Sequence, residues 1–106
     1  MEISFIRGDN HQIRFRLTNF EGAIENMFLT VKCQNKYTRI VKKLNDGITY
    51  SDGWFHTEFL PSDTDGLDCS LNMEYDIQII TGGKKYTVLK DKFVLTEDIT
   101  TPECEV

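Results

Sequence analysis

The sequence holds a single alanine, Ala23. Only two histidines are present, His11 and His56. The 3 cysteines, Cys33, Cys69 and Cys104, form no CxxC pair, and no histidine stands at a zinc-finger offset from them. Zinc-finger and disulfide-framework classes are thereby excluded, and the three are expected as reduced thiols, with Cys33 a small core residue. No apolar run approaches the ~18 residues of a membrane-spanning helix, so no membrane insertion is expected. The opening Met1-Glu2-Ile3-Ser4-Phe5 lacks a basic segment followed by an apolar one. No secretory signal peptide is read there, and a cytosolically made protein is expected. Positive charge is in short supply, 12 Lys+Arg against 17 Asp+Glu for a net −5, which argues against nucleic acid as the partner.

What is present is strand chemistry. At 106 residues the chain fits one domain, with 40% hydrophobic and 27% charged residues in a globular balance. Val, Ile and Thr number 5, 10 and 11. Such β-branched side chains suit a pleated surface and lose rotamer freedom in a helix. Period-two alternation recurs along the chain. Ile3 and Phe5 alternate with polar neighbours; so do Ile13, Phe15 and Leu17, then Met27, Leu29, Val31 and Cys33. A weaker strand covers 37–43, and Ile48 and Tyr50 begin a short one that ends at the turn Ser51-Asp52-Gly53. Phe55, Thr57 and Phe59 oppose Trp54, His56 and Glu58. Met73, Tyr75, Ile77 and Ile79 make the longest apolar stripe. Thr81-Gly82-Gly83-Lys84 reads as a hairpin, followed by strands at 86–88 and 93–95 with a bend or bulge at Lys90 and Asp91. The segment 61–67 breaks the pattern as a crossing loop, with one short helical turn capped by Ser62 or Asp63. A second break lies at 19–26. The pattern predicts an all-β fold, an antiparallel β-sandwich of about seven to nine short strands. Residues 1–100 are expected to form its single domain and 101–106 a flexible acidic tail.

Charge is unevenly spread. Residues 1–43 carry 8 basic and 4 acidic side chains, net +4, and residues 44–106 carry 4 and 13, net −9. In interleaved strands, opposite charges can face one another across a sheet. The same asymmetry also suits a molecule with a basic and an acidic face, stacked head to tail.

The chemical motifs are weak. Arg7-Gly8-Asp9 spells an integrin-recognition tripeptide, but Gly8 more simply permits a tight bend between the first two strands. Asp63, Asp65 and Gly66 resemble the start of a calcium loop, with Glu74 at the twelfth position. Leu67 at the third ligand position and the misplaced glycine favour a turn. Gly82-Gly83-Lys84-Lys85 lacks the leading glycine and the Ser or Thr of a phosphate loop. No nucleophile-elbow motif accompanies either histidine. No catalytic residue, metal site or cofactor is assigned, and a non-enzymatic protein is expected. Trp54 is expected in the core of the sandwich. Exposed instead, with Tyr50 and His56, it would stack on a sugar or pack on a partner.

The order of motifs resembles a family of small phage tail and baseplate domains, among them the N-terminal domain of baseplate upper proteins. The matching segments are Ile3 with Ile6-Arg7-Gly8-Asp9, Glu21-Gly22, a strand over 28–32, and Gly53-Trp54-Phe55. They continue with Leu60-Pro61-Ser62-Asp63-Thr64, Tyr75-Asp76-Ile77 and Asp98-Ile99-Thr100. The likeness spans 3–100. Two departures stand out: Asn10 replaces the usual Thr or Ser, and family members continue into a receptor-binding or fibre-like region while this sequence ends at Val106. The resemblance implies an immunoglobulin-like β-sandwich with an architectural role, contacting other virion or tail proteins and copies of itself. It implies residence in the virion tail or baseplate and brings no catalytic residues. On this reading the basic strands around Arg14, Arg16, Lys42 and Lys43 bind an acidic neighbour. The alternative is a carbohydrate- or cell-surface-binding module using Trp54, Tyr50 and His56.

Overall fold

A computed structural model describes residues 1–17, 24–33, 37–67 and 72–97. They form an all-β protein with eight strands: β1 (Ile3–Ile6), β2 (His11–Phe15), β3 (Asn26–Cys33), β4 (Tyr37–Leu44), β5 (Gly47–Ser51), β6 (Trp54–Phe59), β7 (Met73–Thr81) and β8 (Lys84–Thr96). A single helical turn, α1 (Pro61–Thr64), interrupts them. The strands join in one sheet of order β1-β8-β7-β3-β4-β5-β6-β2. Alternation is cleanest in β3, β6 and β7, where every second side chain is buried and its neighbours are not. Those buried positions are the ones the apolar stripes of the sequence mark.

The sheet curls until inward side chains of its two end strands meet across the core. On β1, Phe5 stacks on His11 of β2 at 4.6 Å between ring centroids and lies 5.5 Å from Phe59 of β6. Phe59 in turn meets Phe93 of β8 edge-on at 5.4 Å. The half built from β5, β6 and β2 thus faces the half built from β1, β8, β7, β3 and β4. Between them lies one apolar core, including Met27, Leu29, Val31, Ile48, Phe55, Ile77 and Ile79. This is a sandwich-like arrangement. Cys33 is a free thiol inside that core.

The sheet is mixed, not purely antiparallel as expected. Two pairings are parallel, β1 with β8 and β4 with β5. Antiparallel neighbours follow from tight hairpins, whereas β1 and β8 come from opposite ends of the chain, with no hairpin to fix their direction. The β4–β5 pairing is only Lys43↔Gly47 and Leu44↔Ile48, and it marks the corner where the chain changes halves. Asn45 and Gly47 take positive φ there, 65° and 107°, a region that Asn tolerates and Gly enters freely. The buried Thr57 hydroxyl donates to the Gly47 carbonyl at 2.7 Å and pins the corner to β6. A Cβ at position 47 would sit 3.0 Å from Lys42 Cδ. Gly47→Ala is therefore expected to destabilise by about 1–3 kcal/mol, read as a lower urea midpoint with unchanged slope. A midpoint equal to the parent's would mean that the corner relaxes without cost.

Two local expectations are corrected. β8 is one continuous strand, not two. Its irregularity falls at Val88, because Ile77 pairs with Leu89 and Gln78 with Thr87; Lys90 and Asp91 stay in register. In α1, Pro61 occupies the first turn and neither Ser62 nor Asp63 is the N-cap, which is Leu60. Asp63 serves from within, its carboxylate accepting the Leu60 N–H at 2.8 Å. The expectations for 19–23, Cys69, 98–100, and the tail 101–106 with Cys104 lie outside the described residues.

Candidate functional site

The outer surface of the smaller half carries the polar side chains of β2, β5 and β6. Register aligns them in rows, since directly opposed residues of antiparallel strands share a face. Gln12 stands opposite Glu58, and its side-chain amide donates to the Glu58 carboxylate at 2.8 Å. Arg14 stands opposite His56, which is flanked on its other side by Thr49. Trp54 pairs with Ser51. Arg14 and Arg16 both reach the indole, with guanidinium carbons 4.5 and 4.7 Å from its ring centroid. Both arginines are exposed and Trp54 is partly so. Each cation–π contact is worth about 0.5–1 kcal/mol at such a site, enough to favour the placement of the guanidinium groups over the ring.

Trp54 is therefore not a core residue. Burial of Phe55, Thr57 and Phe59 on the inner face of β6 turns Trp54, His56 and Glu58 outward. Trp54 and His56 share this surface, but Tyr50 does not. Tyr50 opposes Phe55 in register and packs against its ring on the inner side, 4.9 Å away. The three residues of a sugar-stacking platform are thus divided between two faces, and the indole is already covered by guanidinium groups. Tyr50 instead borders an open cavity of about 420 Å³, also lined by Leu17, Ile24, Leu44 and Phe55.

The four basic candidates are also separated. Strand alternation puts adjacent Lys42 and Lys43 on opposite faces of β4. Lys43 is exposed. Lys42 turns inward with Ile40, its ammonium 2.7 Å from the Asp63 carboxylate and 6.0 Å from the Phe59 ring. Its side chain is 12% exposed, and Asp63's is 21%. This pair clamps α1 to the core and leaves Arg14 and Arg16 as the exposed, juxtaposed cations.

The Arg7-Gly8-Asp9 tripeptide forms the expected bend. The Asp9 N–H donates to the Ile6 carbonyl, and Gly8 takes φ 87°. The bend is tied down from outside: the Gly8 N–H donates to the buried Thr64 hydroxyl at 2.9 Å, and Arg7 donates to the Leu67 carbonyl at 3.1 Å. Asp63 and Glu74, the ends of the calcium-like pattern, face different partners, Lys42 and Lys90. Among the described residues no group of three or more His, Cys, Asp or Glu is placed to hold a metal ion.

One contact had no signal in the sequence. The Met1 ammonium donates to Asp91 at 2.8 Å, and the Tyr75 hydroxyl donates to the Met1 carbonyl. The ammonium and the Lys92 N–H hold the Asp91 carboxyl below the usual carboxylate range. Burial, helped by the Asp91 charge, pushes the Tyr75 phenol up to about 12. Tyr75 is therefore a hydrogen-bond donor at neutral pH, not a base. The chain matches no protein-family model and no curated protein.

Proposed function

We propose that this protein is a non-enzymatic structural or adaptor module of a phage or prophage tail or baseplate, working through protein–protein contacts. The observation that carries the contact reading is the exposed Arg14–Trp54–Arg16 stack on the outer face of β2 and β6. Tryptophan and arginine are the side chains most enriched at binding hot spots. Here the two contacts bias the guanidinium groups toward the ring, which lowers the rotamer entropy lost on docking. β2 also ends the strand order, so among the described residues one side of its backbone has no strand partner.

The phage assignment rests on the motif order. Its described motifs fall at points that shape the fold: the Gly8 bend, the Gly53 turn into β6, α1, and the centre of β7. The carbohydrate-binding alternative is less favoured, because Tyr50 lies on the other face from Trp54 and His56.

The test is made in tail particles purified from the induced host, with a photo-crosslinking residue in place of Gln12. The expected result is the polypeptide at stoichiometric abundance, cross-linked from β2 to another virion chain. Absence from intact tails, or cross-links confined to one chain, would overturn the reading.

A further inference from the structure

The geometry points to head-to-tail self-association, in which the Arg14–Trp54–Arg16 stack of one copy receives the acidic segment 97–106 of the next. This deepens the contact reading above by naming the partner of that surface, and it rests on that reading. Three observations carry it. First, both arginines are exposed with their guanidinium groups over the Trp54 ring at the rim of the β-sheet, and among the described residues β2 has no outer strand neighbour. An extended segment added there would gain backbone hydrogen bonds and meet both cations. Second, residues 97–106 contain Glu97, Asp98, Glu103 and Glu105 and no Lys or Arg. That makes them complementary to the stack, within a chain whose net +4 and net −9 portions meet at position 43.

Third, the two features sit at opposite ends of the sandwich. β8 runs parallel to β1, with Thr96 beside Ile6, and the Arg7 N–H donates to the Thr96 carbonyl. The acidic segment therefore starts at the rim that holds the Gly8 bend. β2 starts from the same rim, where His11 stacks on Phe5, and runs away from it. At ~3.3 Å per residue, Arg16 lies roughly 17 Å along the strand from His11. An acidic exit at one end and a basic receiver at the other form a heterologous pair of surfaces. Contacts of that kind propagate from copy to copy and do not close as an isologous dimer.

The test is analytical ultracentrifugation of the full chain and two variants. One carries Arg14→Glu with Arg16→Glu; the other carries Glu97→Gln, Asp98→Asn, Glu103→Gln and Glu105→Gln. The parent is expected to gain mass with concentration beyond a dimer, and to lose that gain at high salt, where surface charges are screened. Each variant alone is expected to associate about tenfold or more weakly while still unfolding in one cooperative transition, the arginine variant melting lower by no more than its two lost cation–π contacts account for. Mixed together, they are expected to form a one-to-one pair and stop there, because each supplies the half that the other lacks. A parent that stays monomeric at every concentration would overturn the proposal, as would an arginine variant that associates like the parent. A monomeric parent that still cross-links from β2 to a different virion chain would overturn self-association while leaving the adaptor reading intact.

Discussion

Replacing Phe59 by alanine is expected to destabilise the protein by about 3–5 kcal/mol, the upper range for truncating a single core side chain. Phe59 is fully buried and is one of the points where the two halves of the sheet touch. Its ring meets Phe5 of β1 at 5.5 Å and Phe93 of β8 at 5.4 Å, while Lys42 approaches to 6.0 Å. Truncation removes dispersion contacts with three strands at once and leaves a cavity between layers that the backbone of neither can easily fill. The loss is comparable to the whole stability of a marginal domain of this size. Phe59→Leu keeps much of the volume and is expected to cost less than half as much. Urea unfolding of both variants checks the pair. A Phe59→Ala loss under about 1.5 kcal/mol, well below the usual range for such a change, would mean that the halves are not held together there.

The second expectation concerns the inward lysine. Asp63→Ala is expected to cost about 2–3 kcal/mol, below the ~3–5 kcal/mol for breaking a fully buried pair because both groups retain some solvent. The change strands the Lys42 ammonium beside the Phe59 ring and also removes the acceptor of the Leu60 N–H. Lys42→Met keeps the apolar stem and removes the charge, and is expected to cost about 1 kcal/mol or less. Combining the two changes should cost less than their sum, since Asp63→Ala no longer strands a charge. Denaturation of the three variants gives the comparison. A Lys42→Met loss equal to or greater than that of Asp63→Ala would refute the argument that the ammonium is the costly partner.

Alternation made most strands legible because one face of each is buried. Phe55, Thr57 and Phe59 point inward and leave Trp54, His56 and Glu58 outside, as a period of two requires. The general habit of lone tryptophans nevertheless pointed Trp54 into the core, although the alternation of its own strand already turned it outward. Tyr50 could not be placed from its strand alone. Its side depends on register with Phe55, a relation between two strands that neither segment encodes. Strand direction was likewise hidden. The parallel β1–β8 pair has no local signature, because direction is imposed by where the intervening chain returns. Nor could the inward turn of Lys42 be foreseen without Asp63, which comes from α1, 21 residues away in sequence. The arginine stack was partly legible, since Arg14 and Arg16 share a face by spacing, but the ring beneath them belongs to another strand.

The pairing of Ile3 with Phe93 also sets an order in time. During synthesis the first strand emerges with no neighbour to bond. Its partner is made ninety positions later, which at ~5–20 residues per second is a wait of roughly 5–20 seconds. β7 can meet β3 earlier, so the middle of the sheet can assemble while the leading segment stays unpaired. Completion then requires β1, tethered to β3 through residues 7–25, to reach β8 on the far side of β7, a late contact between distant parts of the sequence. Nascent chains are accordingly most open to intermolecular strand exchange just before β8 is made, with Ile3 and Phe5 as the exposed apolar residues.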